Sequence, residues 1–211
     1  RTAAAAGRRW RRVAGADVAQ RAPAWRRLSV REHKIVVLGS MGCGKSTLVR
    51  AIAAGAVIDT DVHNSDRQGA DKASTTVAMD YADIDLPNGD RLRLYGTPGQ
   101  QRFDFLWPIL LQGASGVVLL LDATGAETAD ALDSYLAVLR QHAAQVPTVI
   151  GVSRLDLAPQ FDLEACAARA GGDGRWLPVV PVDARDREQG LCLMDVLMSE
   201  MEAGALVAAH G

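Results

Sequence analysis

Gly39-Ser40-Met41-Gly42-Cys43-Gly44-Lys45-Ser46 sets two glycines with four residues between them and closes on lysine and serine. Glycines let the backbone curl tightly enough for successive amide hydrogens to converge on one anion. The helix that follows offers its positive N-terminal end. This is the spacing of a phosphate-cradling P-loop, in which Lys45 reaches the β- and γ-phosphates and the Ser46 hydroxyl ligates Mg²⁺. The same pattern also arises as a bare glycine turn, and the flanks discriminate. Lys34–Leu38 upstream is a short β-branched apolar run, and 47–54 downstream has helical apolar spacing. Strand, loop and helix fall in the required order, so the whole loop, from Gly39 through Ser40, Met41, Gly42, Cys43, Gly44, Lys45 and Ser46 to Thr47, is expected to hold a nucleoside triphosphate.

The remainder of the chain fits one α/β domain. Of 211 residues 48% are apolar, which supports a sizeable core, and the longest strongly apolar run, Val117–Leu121, is far too short to cross a bilayer. Three cysteines without metal-ligand spacing fit a reducing cytosol and a cytoplasmic location. Cys43, near a helix N-terminus, is either acidified and oxidation-sensitive or an inert loop position. The net charge is −2, but it is unevenly spread: residues 1–31 hold nine arginines and one acid, Asp17, against 14 basic and 24 acidic side chains in 32–211. Residues 1–30 therefore read as a basic, disordered arm, a domain as 31–203, and 204–211 as a tail. The arm's composition also suits an anionic membrane surface, nucleic acid or a transit peptide, with the plain extension preferred and no nucleic-acid partner expected.

Along the domain, 55–75 lacks any period and reads as a long loop of the functional kind. Strands at 76–86 and 91–95 flank Pro87-Asn88-Gly89-Asp90, where Asn-Gly signals an antiparallel hairpin. A short helix within 103–112 restarts at Pro108. Three strand-helix units follow: 116–121 with 128–145, 148–152 with 163–169, and 179–182 with 188–202. That alternation demands a mostly parallel sheet, with one antiparallel edge strand and helices on both faces, and a ligand beyond the carboxyl ends of the strands.

A second signal narrows the class. Gly96-Thr97-Pro98-Gly99-Gln100 follows a strand directly and resembles the loop with which small GTPases sense the γ-phosphate, where the Gly99 amide would bond that phosphate and Gln100 would orient the attacking water; the alternative is a Pro-Gly turn with a solvent-exposed glutamine. Thr76, with Thr75 as its neighbour, ends the long loop 20 positions before Gly96, which resembles the threonine that a GTPase closes over Mg²⁺ and the γ-phosphate; a threonine there also simply favours a strand. Asp156 resembles the aspartate of the guanine-reading segment of GTPases, which accepts from both the ring N1–H and the exocyclic amine of guanine, whereas adenine offers no such pair. Its alternative role is to cap the next turn.

Together GSMGCGKST, TTVAMDY, LYGTPGQQRFDFLW and VPVDARDRE resemble a bacterial Ras-like small GTPase group, commonly described as ATP/GTP-binding proteins and related to the gliding-motility MglA-type and conservon-type G proteins. The likeness covers residues 31–203. It implies a Ras-like G domain that binds and slowly hydrolyses GTP to GDP, with 55–76 and 96–104 as switches. Gln100 and Lys45 would be catalytic, Ser46 and Thr76 the protein ligands of Mg²⁺, and a roadblock-type regulator and a downstream effector the partners. Two departures stand out. Most Ras-like proteins carry aspartate where Gly96 stands, which puts tight Mg²⁺ binding in doubt. The guanine-reading Asn-Lys-x-Asp is here Ser153-Arg154-Leu155-Asp156, with the aliphatic stem of Arg154 expected to lie along the base plane. Asp183-Ala184-Arg185 takes the place of the Ser-Ala-Lys loop, where the Ala184 amide would meet the guanine O6. Arg67, Lys72 or Arg102 could serve as an intrinsic arginine finger, or be solvated loop charges. The rival readings are a nucleotide-binding interaction module with little hydrolysis and a P-loop ATPase.

Overall fold

The computed structural model describes residues 31–53, 57–59, 79–86, 88–99, 101–125, 128–172 and 174–210. Seven strands are β1 (Glu32–Gly39), β2 (Val57–Asp59), β3 (Asp80–Asp85), β4 (Arg91–Gly96), β5 (Gly116–Asp122), β6 (Thr148–Ser153) and β7 (Val179–Pro181). The helices are α1 (Lys45–Ala53), α2 (Trp107–Leu111), α3 (Thr128–His142), α4 (Leu163–Ala170) and α5 (Arg187–His210). They build one sheet in the order β2-β3-β4-β1-β5-β6-β7.

β1, β4, β5, β6 and β7 run parallel, and β3 pairs antiparallel with both β4 and β2. The reversed strand is therefore not at the edge, as the sequence suggests, but one place in. Val57–Asp59, within the segment expected to be a loop, adds a short strand outside it; three residues are too few for strand periodicity to register. The β3–β4 turn is the expected one: Gly89 takes φ +91°, its amide donates to the Leu86 carbonyl at 2.9 Å, and Asn88 Oδ1 accepts from the Asp90 amide at 3.0 Å.

Alternation along the central strands sorts their side chains to two faces. Val36, Leu38, Val117, Leu119, Leu121, Ile150 and Val152 pack with α2, α3 and α4, where Trp107 stacks on Tyr135 at 4.8 Å between ring centroids. Ile35, Val37, Val118, Leu120 and Val149 pack with α1 and α5 through Leu48, Val49, Ile52, Leu193 and Leu197. Strands buried on both faces read as the near-continuous apolar runs seen at Ile35–Leu38 and Val117–Leu121. A 3₁₀ turn over Gln101–Leu106 leads into α2, which starts at Trp107 with Pro108 in its first turn, where a missing amide costs nothing. α5 continues to His210, so the tail at 204–210 is helical.

Candidate nucleotide site

Five loops leave the carboxyl ends of β1, β4, β5, β6 and β7, all parallel, and so open on one rim of the sheet. The first is the phosphate loop. Gly39, Gly42 and Gly44 have φ of +150°, +82° and +106°, a left-handed series that L side chains resist. Cys43 between them is fully buried, and a Cβ at Gly44 would lie 3.0 Å from that of Ala184, so the loop rests directly on the segment after β7.

Lys45 opens α1 and is 7% exposed. Its ammonium donates to the carbonyls of Gly39 at 2.8 Å and Ser40 at 2.7 Å, which fixes it across the mouth of its own loop. Burial pushes it below the ordinary lysine value, opposed by Cys43 and Asp80. Burial also raises the Cys43 thiol, against the lowering pull of Lys45, so the inert reading of that cysteine holds. Cys43, Cys166 and Cys192 are all free thiols.

The loop after β4 lies against the phosphate loop. Thr97 is buried and gives both its amide, at 3.0 Å, and its hydroxyl, at 3.1 Å, to the Val37 carbonyl, which stitches this loop to the end of β1. A Cβ at Gly99 would stand 2.6 Å from Met41 Cα and 2.7 Å from Lys45 Nζ. Only glycine permits that approach, and it brings the Gly99 backbone beside the lysine that the sequence assigns to the γ-phosphate. Gln100, Thr76, Thr75, Arg67 and Lys72 lie outside the described residues, as do residues 1–30 and the side chain of Arg102.

Beside the phosphate loop, a pocket of about 190 Å³ is bounded by Gly44, Thr47, Arg154, Asp156, Ala184 and Arg185, with Cys43, Ser153 and Asp183 completing it. Asp156 is exposed to the pocket, and among the described residues its carboxylate makes no hydrogen bond, so nothing supports the turn-capping role. Arg154 lines the same pocket, and its head group is tied to two other segments. Its guanidinium donates to Asp122 Oδ2 at 2.6 Å and to the Gly42 carbonyl at 2.7 Å, clamping the base loop to the phosphate loop. That clamp is made from a left-handed backbone (φ +60°), the one positive φ outside glycine among the described residues.

Ser153 stands where the family asparagine would be, and its hydroxyl faces inward rather than toward a base. It lies 2.9 Å from the Cys43 carbonyl and 3.0 Å from that of Leu121. At the far side, Arg185 pairs with Asp183, whose carboxyl is held down at about 2 by those hydrogen bonds. Ala184, between them, is buried.

Sequence reasoning passed over Thr97, Asp122 and Asp80. The Ser46 hydroxyl donates to Asp80 Oδ2 at 2.5 Å, and Asp80 pairs with Gly96 across the β3–β4 ladder. The available signal is its place four residues after Thr76, on the strand that the hairpin motif sets against Gly96. The described residues contain no group of three or more His, Cys, Asp or Glu placed to hold a metal, and no helix long and apolar enough to cross a membrane.

Comparison with known proteins agrees with this geometry. Human "Ras-related protein Rab-40A-like" is 27% identical over 143 residues, 65% of this chain and 48% of that protein. "Ras-related protein RABD2c" of Arabidopsis thaliana is 25% identical over 154 residues, 72% of each chain. "Uncharacterized protein MJ1339" of Methanocaldococcus jannaschii is 26% identical over 154 residues, 67% of this chain and 90% of that one. The chain spans about half the length of the human Rab-40 relatives it matches. A family model described as "Conserved hypothetical ATP binding protein" matches residues 53–169, from the end of α1 to the end of α4. With more than half of its length inside that match, a P-loop on β1 and a sheet of the Ras-like type, the chain belongs to the family of conserved hypothetical ATP binding proteins and is a Ras-like nucleotide-binding P-loop protein.

Proposed function

We propose that this protein is a small regulatory GTPase that binds GTP, hydrolyses it slowly to GDP, and changes partner affinity as the loops at 55–76 and 96–104 respond to the γ-phosphate. The observation that carries the choice of guanine is the Asp156 carboxylate, exposed to the base pocket with no hydrogen bond among the described residues. A paired donor edge such as guanine's satisfies it, whereas adenine would leave it unpaired against a closed site. Ala184, buried beside Gly44, places its backbone at the same pocket.

In this reading Gly39 to Thr47 wrap the phosphates, Lys45 turns from the Gly39 and Ser40 carbonyls to the β- and γ-phosphates, Gly99 donates its amide to the γ-phosphate, and Gln100 orients the attacking water. Ser46 and Thr76 offer hydroxyl oxygens to Mg²⁺, a fit to its preference for hard oxygen donors, and the bound ion supplies neutralisation of developing phosphate charge. Turnover is slow without a partner, because the site is assigned no resident arginine at the transition state. On the YGTPGQ-RFDF segment we group the protein with the bacterial MglA-type and conservon-type G proteins, with a roadblock-type regulator, a downstream effector and a cytoplasmic location.

Competition of GTP, GDP and ATP for the purified chain tests the guanine assignment, with guanine nucleotides at least about tenfold tighter and Asp156→Asn erasing that preference. Tighter ATP binding, as the family's description suggests, would replace this reading with an ATPase. Gln100→Ala should slow single-turnover hydrolysis while GTP affinity stays nearly constant. If phosphate release is undetectable with and without an activator, the protein is an interaction module rather than an enzyme.

A further inference from the structure

We infer that the pole of the protein opposite the nucleotide rim is a surface for an anionic lipid bilayer, held by Trp176, the exposed end of α5 and the arginines of residues 1–31. The inference does not depend on which nucleotide the site takes. Because β1, β5, β6 and β7 are parallel, their amino ends share the pole opposite the rim. Three features gather there. Trp176 comes just before β7 and is 89% exposed. α5 starts at the rim, beyond Arg185, and runs back along the sheet: a Cβ at Gly116, the first residue of β5, would lie 3.1 Å from Leu197 Cδ2. Met201 still packs on the core, whereas Glu202 to Val207 are all exposed. Leu206 and Val207, 63% and 75% exposed, therefore stand about 7 Å beyond Met201 along the helix axis. Finally, Arg31 enters β1 beside the β3–β4 turn, its amide donating to Asp90 Oδ1 at 3.1 Å. It ends a stretch with nine arginines, one acid and two tryptophans, Trp10 and Trp25.

The chemistry of the pole selects its partner. An indole joins a large apolar ring to one N–H, which suits the boundary between headgroups and acyl chains. Arg175, next to it, donates its guanidinium to the Val146 carbonyl. That bond sets the Trp176 loop against the end of α3, where Arg140 and His142 are exposed in the last turn. Nucleic acid would answer the arginines but offers nothing to Leu206 and Val207. A second copy of the chain would answer the apolar side chains but bring the same arginines with it, like charge against like. An anionic bilayer presents phosphates to the cations and acyl chains to the apolar side chains at one surface. Glu200 and Glu202, exposed on α5, oppose the approach but are outnumbered by the arginines. Seated this way, the protein turns its nucleotide rim away from the lipid, and the loops around the nucleotide stay open to water and to other proteins.

The test is sedimentation of the full chain with vesicles of phosphatidylcholine alone and of phosphatidylcholine mixed with phosphatidylserine. Partition onto the mixed vesicles should exceed that onto the neutral ones by about tenfold or more, and should weaken as salt is raised. Trp176→Ser, and separately Leu206→Ser with Val207→Ser, should each lower the partition coefficient by about threefold or more at a fixed salt concentration. None of these side chains is buried or lines the pocket, so thermal unfolding and nucleotide retention should stay unchanged. Equal partition onto both kinds of vesicle would overturn the proposal. So would full binding after both sets of substitutions, since the arginines alone would then account for it. A second measurement reads Trp176 directly: in a chain carrying Trp10→Phe and Trp25→Phe, its emission should shift to the blue on mixed vesicles, Trp107 being already buried. Unshifted emission counts against the proposal. If the full chain prefers duplex DNA to the mixed vesicles, and Trp176→Ser leaves that binding intact, the arginines serve nucleic acid and the proposal falls.

Discussion

Ser153 has one hydroxyl hydrogen and two carbonyls within reach, Cys43 O and Leu121 O, on chain segments 110 and 32 residues away. That geometry makes it a fastener between β6 and the phosphate loop, whatever its part in base selection. Ser153→Ala removes the hydroxyl donor from a buried carbonyl and should cost about 1–3 kcal/mol of stability, read as a lower melting temperature. Nucleotide affinity should fall less than it does on Asp156→Asn; the reverse order would assign Ser153 to the base. At this scale the sequence named most of the residues that meet at the rim, since the lysine, serine and glycines of a P-loop carry their spacing with them. It could not show which way a side chain faces. Arg154 spends its guanidinium on Asp122 and Gly42, and Ser153 turns inward, because partners far along the chain decide both orientations.

Among the elements, α1 transmits most directly to the site, since it begins with Lys45 and Ser46 and is held on its other side by α5. The contact is made at Gly190, where a Cβ would meet Ile52 Cγ1 at 2.9 Å and Leu48 Cδ1 at 3.2 Å. Gly190→Val should push the two helices apart at a cost of about 1–3 kcal/mol and weaken nucleotide binding, although residue 190 touches no part of the pocket. Thermal unfolding and nucleotide titration of the same variant check it. A fully stable, tight-binding Gly190→Val would show that the helices slide without consequence. Long, periodic elements such as α3 and α5 were legible from sequence, whereas β2 was not. A three-residue strand has no period of its own and exists only because β3 offers an edge to pair with.

For the whole molecule, one sheet separates two apolar layers that share every central strand, so neither layer can lose its packing without exposing the other. Unfolding should accordingly be a single transition, with near-UV circular dichroism, to which the buried Trp107–Tyr135 pair contributes, coinciding with the far-UV signal. Mg²⁺ and GDP at about 100 times the dissociation constant should raise stability by about 2.7 kcal/mol and shift that transition upward together. Two separated transitions would mean that the layers melt independently.

The sequence by itself determined the phosphate loop, the order of strands and helices other than β2, and the hairpin at Asn88-Gly89, because each depends on neighbours within a few positions. Tertiary structure decided what the loops do to one another: Gly99 laid on Met41, Arg154 clamped to Gly42, and Asp80 occupying the space that opens opposite Gly96. The physical reason is that a sheet brings distant carbonyls and carboxylates to within hydrogen-bond distance through register and crossover. Register fixes which residue of β3 stands opposite Gly96.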